Sequence, residues 1–351
     1  MEAYVFLKKQ NEEGHDLFLT EDFDLILLYI YCYQTAFNEE GVEKENLAEV
    51  FRKMDMASEW TEKGLKNLLN EGLVKRKNSR YFIEDAESFI KRILLTVRNE
   101  GEVREGEIDS LNQKRIGLIS GCLSFQIIPS SHHKKVADFI RLFFRESPVF
   151  IREVVQKLEN EVLCKGIVNT EPKFHQGTGS LIFWLYNCDI SFARLMAGKC
   201  NLDILAENIG KTVPRYHNGT ARLIFSLYGW LWGFARKVIQ KIEKALVKSL
   251  EATVPEYHLG TARLIYNLNV CDRDLAKLIL DECDPEIMGE SIGKTSPELH
   301  FGTGHLLYAI YETSPDFALK VVEKSKEKLP STFLEDNTDL FSSELKEWLS
   351  K

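Results

Sequence analysis

Four histidines recur at a nearly constant spacing in the second half of the chain. His175, His217, His258 and His300 lie 42, 41 and 42 residues apart, each in the phrase Pro-x-x-His-x-Gly-Thr-Gly/Ala. Imidazole rings can bind metals, transfer protons or, when protonated, hold anions. Rings carried by neighbouring packed helices lie about 10 Å apart, whereas the ligands of one metal ion lie about 2 Å from it. The spacing therefore excludes a shared metal and leaves a ladder that binds an acidic ligand or senses pH.

The same spacing defines a repeated helical unit. Each phrase is followed by apolar residues in helical periodicity, a short connector, a second helix and a third short segment that ends beside the next proline. A period near 42 with two or three helices resembles the HEAT and armadillo class of α-solenoids in unit length and helix pattern. A degraded unit begins at His133, and the segment after the fourth copy, with a helix near 343–349, is expected to be a C-terminal cap. The resemblance carries over no functional residue.

A structural role for the histidines competes with the ladder. In a helix through the phrase, His175 shares one stripe with Gly179, Ile182 and Tyr186. This stripe places the histidine at a helix–helix seam, where it can donate to a carbonyl or a hydroxyl of the adjacent unit. The repeated glycine, such as Gly177, indicates either that two backbones approach closely or that the helix begins at the following threonine as an N-cap.

Basic residues share two registers of the repeat. Arg222, Arg263 and His305 occupy one, and Arg194, Arg236 and Lys277 occupy the other. These rows form either stripes for nucleic acid or an acidic protein, or solvated faces balanced by nearby glutamates. The residue before each histidine forms a third row, which is mainly aromatic: Phe174, Tyr216, Tyr257 and Leu299.

The amino-terminal third follows a different pattern. Helices are predicted over residues 23–37, 45–54 and 59–70, followed by two strands within 73–83 about an Asn78-Ser79 turn and a further helix from Asp85. Three helices and a basic hairpin resemble the winged-helix fold, in which the third helix enters the major groove and the wing contacts phosphate. Candidate contacts to nucleic acid or to a partner are Lys63, Lys66, Lys75, Arg76, Lys77 and Arg80. Because the preceding segment is acidic and winged helices also dock proteins, both uses remain open.

Composition narrows the function classes. The net charge is −8, no apolar run is long enough to span a bilayer, and the start lacks the pattern of a secretory signal. The cysteines form no metal-ligand spacing, and two Gly-Lys-Thr triplets lack the earlier glycine of a phosphate-binding loop. We therefore expect no metal, no cofactor and no enzymatic activity, in a cytoplasmic protein.

These patterns together predict a mainly α-helical chain. We expect a winged-helix-like domain with an N-terminal hairpin over 1–94, a connector over 95–127 and a helical-repeat solenoid of about five units with its cap over 128–351. The leading hypothesis is a non-catalytic scaffold or adaptor that binds a protein partner through the repeats and docks through the winged helix. The alternative is a regulator that binds DNA or RNA through the basic wing, with the solenoid used for sensing or for pairing two copies in a homodimer.

Overall fold

The computed structural model describes residues 41–53, 58–70, 72–84, 129–146 and 148–350, with scattered positions within 26–34 and 116–127. The predicted N-terminal hairpin, the helix from Asp85 and most of the connector lie outside these residues. The chain divides into two compact units. One comprises Met1–Ile128 with Asp138–Leu163, and the other comprises Pro129–Ala137 with Cys164–Lys351. Residues 138–163, which the repeat pattern assigns to the solenoid, thus group with the amino-terminal unit.

The amino-terminal unit combines helices with a small antiparallel sheet. Helical residues within 26–34 precede strand β1, two helices and a hairpin: β1 (Val42–Glu43), α1 (Lys44–Lys53), α2 (Ser58–Asn70), β2 (Lys75–Lys77) and β3 (Arg80–Phe82). The sheet order is β1-β3-β2. Strand β1 was not predicted, because two residues are too few to show an alternating pattern.

The hairpin turn agrees with the sequence prediction. Asn78 and Ser79 both have positive φ, 50° and 67°. Two successive left-handed residues form the tight turn that suits the twist of an antiparallel pair. Its register pairs Arg76 with Tyr81 across the two strands.

Three helices precede the four full repeats; the first and third full repeats have three helices each, and the second and fourth have two. The degraded unit holds α3 (His133–Glu146), α4 (Pro148–Gln156) and α5 (Asn160–Val168), and the first full repeat holds α6 (His175–Cys188), α7 (Ile190–Lys199) and α8 (Leu202–Gly210). The second holds α9 (His217–Trp230) and α10 (Trp232–Glu251), and the third holds α11 (His258–Cys271), α12 (Arg273–Asp281) and α13 (Pro285–Gly293). The fourth holds α14 (His300–Thr313) and α15 (Pro315–Ser325), followed by α16 (Thr332–Asp336) and α17 (Ser343–Ser350).

The second repeat differs because its second and third helices are joined in the 20-residue helix α10. In the first repeat the break lies at Asn201, whose side chain accepts hydrogen bonds from two backbone amides, and in the third it lies at Asp284. The corresponding residue of the second repeat is Glu243, and Lys244 stands where the third repeat has Pro285. Glutamate and lysine favour helix interiors, so nothing interrupts the helix there.

The cap at Asn201 gives a direct test of this explanation. Its Oδ1 accepts from the amides of Asp203 and Ile204, at 3.0 and 3.2 Å. We expect Asn201→Ala to lower the free energy of unfolding by about 1 kcal/mol, because both amides lose their acceptor. Asn201→Asp keeps an acceptor and should leave stability nearly unchanged. Urea unfolding followed by circular dichroism measures both, and equal losses would contradict a capping role.

Each full repeat enters its first helix through a proline-led 3₁₀ turn. The turns are Pro172–Phe174, Pro214–Tyr216, Pro255–Tyr257 and Pro297–Leu299, and the α-helix starts at the histidine that follows. Proline suits such a start because it fixes φ and lacks an amide hydrogen that would be unpaired. The suggestion that the helix begins at the threonine, with that residue as N-cap, is therefore wrong.

Candidate functional site

The repeated histidines lie at the seams between consecutive repeats, and the seams join the first helix of one repeat to the first helix of the next. Each ring is buried, with at most 1% of its surface exposed. Three Nδ1 atoms lie 2.9 Å from the threonine hydroxyl of the next repeat: His175 to Thr220, His217 to Thr261 and His258 to Thr303. His133 of the degraded unit makes the same contact with Thr178, at 2.7 Å.

The Ser249 contacts of His217 indicate that the ring hydrogen lies on Nε2. The Ser249 hydroxyl donates its single hydrogen to the carbonyl oxygen of Thr212, at 3.0 Å. Ser249 must then accept from Nε2–H of His217, 2.7 Å away. In the neutral ring Nδ1 is then an acceptor, so we assign to it the hydrogen of the Thr261 hydroxyl, which also lies 3.1 Å from the carbonyl oxygen of Tyr257. The oxygen of Thr261 in turn accepts from the Thr253 hydroxyl at 2.7 Å.

His258 stands in the same network one repeat later. Ser291 donates to the carbonyl of Thr253 at 2.7 Å and accepts from Nε2 of His258 at 3.0 Å. Thr295 lies 2.8 Å from Thr303, which supplies the hydrogen to Nδ1. The same series of buried side-chain hydrogen bonds thus recurs at two seams. Its hydroxyl groups are oriented in the same direction at both.

The network changes at its two ends. Asn208 stands where the later repeats have serine, and its amide donates instead to the carbonyl of Val168 at 2.8 Å. Among the described residues Nε2 of His175 consequently has no hydrogen-bond partner. At the other end, His300 Nδ1 lies 2.6 Å from the carboxylate of Asp336. Since a carboxylate only accepts, His300 carries a hydrogen on Nδ1, the nitrogen that accepts in His217 and His258.

Burial keeps the rings of His175, His217 and His258 neutral. Desolvation lowers the pKa of His175 to about 3, and it lowers the pKa values of His217 and His258 to about 4. A neutral ring sealed inside a helix seam reaches no ligand. The hypothesis of a surface ladder of imidazoles for an acidic ligand is therefore wrong.

The glycines allow the seams to close. A Cβ on Gly177 would lie 2.9 Å from the backbone nitrogen of Lys134, and one on Gly219 would lie 3.0 Å from that of Gln176. At Gly179 the same atom would lie 2.9 Å from the backbone of both Arg222 and Leu223. Real Cβ contacts are almost never so short, so two backbones approach closely here, as one of the two sequence interpretations predicted.

One side of each first helix is exposed to solvent, and these sides form a face. We call it the first-helix face, and define it by the fifth and eighth residues after each histidine. The eighth residues are all aromatic and all partly or largely exposed: Phe183, Phe225, Tyr266 and Tyr308. The fifth residues are Ser180, Arg222, Arg263 and His305, which are also exposed in part. These positions are one turn apart on a helix, so each ring lies beside one of these polar side chains.

The preceding repeat positions the two arginines of this face. The Arg222 guanidinium carbon lies 4.9 Å from the centre of the Phe183 ring, and Arg263 Nη1 donates to Asn218 Oδ1 at 2.8 Å. Among the described residues neither arginine forms an ion pair. His305 follows in the same row, and burial together with the charge of Arg263 lowers its pKa.

The second basic row has a different environment. Arg236 Nε pairs with Asp272 at 2.8 Å, and Lys277 pairs with Asp281 at 3.4 Å. Arg194 is exposed on α7. The structure thus separates two rows that look equivalent in sequence. Two members of the second-helix row are neutralised within the chain, whereas the arginines of the first-helix face keep free charge.

The cations predicted for the wing are mostly engaged within the amino-terminal unit. Lys75 pairs with Glu84, Arg80 pairs with Glu43 at 3.3 Å, and the Arg76 guanidinium lies 5.6 Å from the centre of the Tyr81 ring. Lys77 is exposed on β2, and Lys63 and Lys66 are exposed on α2. The two lysines of α2 form no ion pair in the described part of the chain.

Comparison with known proteins gives no family for this chain. Neither the protein-family models, nor the curated proteins, nor the solved structures contain a match.

The described residues lack two further features. They contain no helix that is long and apolar enough to cross a membrane. They hold no group of three or more histidine, cysteine, aspartate or glutamate side chains placed to bind a metal ion.

The aromatic row of the first-helix face was missed by sequence reasoning. The first helices are apolar around most of their circumference, so periodicity alone does not show which side faces outward. A usable signal was present, however. All four repeats keep an aromatic residue at the same register, where the neighbouring core positions are aliphatic.

Proposed function

We propose that this chain is a non-catalytic scaffold whose repeats form an α-solenoid and bind a protein partner through the first-helix face. The observation that carries the proposal is the row of partly exposed aromatic rings beside arginines that form no ion pair with any described residue. Aromatic residues and arginine are the types enriched at protein interfaces and at their energetic hot spots. A solenoid repeats such a row once per unit and so presents an extended binding surface.

The rigid seams support this role. Each joins two repeats through a buried histidine–threonine contact and a close approach of backbones at glycine. Side chains on the outer side of such closely packed helices are held at a fixed spacing. A pre-arranged surface loses less conformational entropy when a partner binds.

We propose further that the amino-terminal unit is a winged helix used for docking. Its element order, helix–strand–helix–helix–strand–strand, and its β1-β3-β2 sheet fit that fold. The ion pairs of Lys75 and Arg80 and the stacking of Arg76 reduce the charge that a wing would offer to phosphate. This favours docking on a protein over binding of nucleic acid.

A capture experiment tests the scaffold proposal. Full-length protein is used to capture partners from a nuclease-treated lysate of its native organism, alongside Phe225→Ala/Tyr266→Ala and the control Leu195→Ala/Leu278→Ala. The control truncates two exposed side chains on the second helices. We expect the first variant to lose a partner that the control retains, because interface aromatics cost about 2 kcal/mol or more when truncated. A partner retained by both variants would contradict binding through this face.

Lys63 and Lys66 favour the second candidate, a nucleic-acid-binding regulator. Both are exposed on α2, without ion pairs to the residues that the structure describes, and α2 is the helix that enters the major groove in a winged helix. Binding of the full chain to random duplex DNA and to RNA, titrated with salt, tests it. Affinity at low salt that Lys63→Gln/Lys66→Gln removes would support this candidate, and no affinity at low salt would exclude it.

A further inference from the structure

The charge of the first-helix face is unusual for an acidic protein. The chain has 53 acidic residues and a net charge of −8. Helices α6, α9 and α11, of 14 residues each, contain none of these acids. Their only charged residues are Arg222 and Arg263, both on the exposed face. Glu312, exposed at the end of α14, is the first acid along this set of helices, and it hydrogen-bonds Tyr308 of the face.

The fifth residue after each of the four histidines carries a hydrogen-bond donor. The donors are the hydroxyl of Ser180, the guanidinium groups of Arg222 and Arg263 and the ring of His305. The arginines bind carboxylates through two parallel hydrogen bonds, and their contacts with Phe183 and Asn218 already orient them. Four donors in a row, with no acid on α6, α9 or α11, fit a ligand that carries a row of acidic groups.

The spacing of the row selects the shape of that ligand. Packed helices lie about 8–10 Å apart, and the contacts at glycine keep these helices close. A polyproline II segment brings every third side chain to the same side at intervals of about 9.3 Å, since its rise is about 3.1 Å per residue. Such segments also dock on exposed aromatic rings, which the face supplies at its eighth-residue positions.

From these observations we propose that the first-helix face binds an acidic segment in polyproline II conformation, with a carboxylate at every third residue. The carboxylates engage the row from Ser180 to His305, and the intervening residues pack on the aromatic row. This inference rests on the proposed scaffold function and names the chemistry of the partner. A single strand of nucleic acid is the competing ligand. Its phosphates, however, are not arranged like carboxylates that occur at every third residue of a peptide.

The test uses labelled twelve-residue peptides and fluorescence anisotropy with the full chain. The ligand is (Glu-Pro-Pro)₄, and it is compared with a peptide of the same composition in which four glutamates precede eight prolines. (Ser-Pro-Pro)₄ keeps the conformation and removes the charge. We expect (Glu-Pro-Pro)₄ to bind at least about tenfold more tightly than either, because only it places carboxylates on one side at the repeat spacing.

Paired variants locate the site. Arg222→Gln/Arg263→Gln should weaken binding of (Glu-Pro-Pro)₄ by about tenfold or more, because both forked donors are lost. Arg194→Gln/Lys237→Gln removes the same charge from exposed positions on the second helices and should change affinity by no more than about twofold. Circular dichroism at matched concentration confirms that each variant is folded, and Arg222→Lys/Arg263→Lys keeps the charge while removing the fork.

Three results would overturn the proposal. The first is equal affinity for the block peptide and (Glu-Pro-Pro)₄, and the second is an equal loss of binding in both glutamine variants. The third is tighter binding of a twelve-nucleotide oligouridylate that Arg222→Gln/Arg263→Gln abolishes, which would assign the face to single-stranded nucleic acid. If the peptide fails while Phe225→Ala/Tyr266→Ala still loses its captured partner, the scaffold function stands and only this ligand chemistry is wrong.

Discussion

Lowering the pH from 7 to 5 is expected to destabilise the repeats by about 6 kcal/mol through the seam histidines. His175 has a pKa of about 3 in the folded chain, and His217 and His258 have pKa values of about 4. Unfolded histidine titrates near 6.5, so below that pH the unfolded chain takes up protons that the folded chain excludes. The free energy of unfolding therefore keeps its full value above pH 6.5 and decreases as the pH falls towards 4. At pH 5 the loss is about 2 kcal/mol for each ring.

The double variant His217→Gln/His258→Gln isolates this effect from the titration of carboxylates. Glutamine does not titrate, so the stability lost between pH 7 and pH 5 should shrink by about 4 kcal/mol. At pH 7 the variant itself should be less stable, because glutamine reproduces only part of the hydrogen bonding to Thr261 and Ser249. Urea unfolding at both pH values measures the difference. An unchanged pH dependence would show that these rings do not titrate as buried groups.

Replacing Gly179 by alanine should have the second large effect. The new Cβ would lie 2.9 Å from the backbone of Arg222 and Leu223, and backbone atoms cannot move aside as a side-chain end can. We expect a loss of about 1–3 kcal/mol in the free energy of unfolding, the usual range for overpacking. Urea unfolding monitored by circular dichroism gives the value.

Gly229→Ala is the matched control. Gly229 lies in α9, the helix against which Gly179 packs, and a Cβ there would meet nothing within 4 Å. Alanine should therefore stabilise α9 by up to about 1 kcal/mol, because glycine is the poorer helix former. If Gly179→Ala lowers the free energy of unfolding and Gly229→Ala raises it, the backbones approach closely at Gly179 and not at Gly229. Equal stabilisation would mean that the seam has room for a methyl group.

The helical repeats and the position of the histidines could be predicted from the sequence. The constant spacing of His175, His217 and His258 and the stripe shared with Gly179 place the ring at a seam, and the structure locates it there. The hydroxyl of an adjacent unit was also anticipated as a partner. The sequence does not identify this hydroxyl, because Thr220 becomes a neighbour of His175 only when two repeats pack together.

Other features depended on contacts that no local pattern encodes. Arg222 and Arg236 look alike in sequence, yet within the described part of the chain Arg236 pairs with a carboxylate, that of Asp272, and Arg222 does not. The aromatic row was hidden because both sides of the first helices are apolar. The joining of two helices in α10 was readable in principle, since Glu243 lacks the capping ability of Asn201, but a cap is a weak signal inside a helical segment.

The continuous helix α10 also has a mechanical consequence. At about 1.5 Å per residue its 20 residues form a strut of about 30 Å in the middle of the repeats. The flanking repeats have breaks instead, at Asn201 and Asp284, where two or three residues separate the second helix from the third. We expect bending under load to concentrate at these two breaks, so that the central part of the first-helix face keeps its spacing while the parts on either side adjust to a ligand.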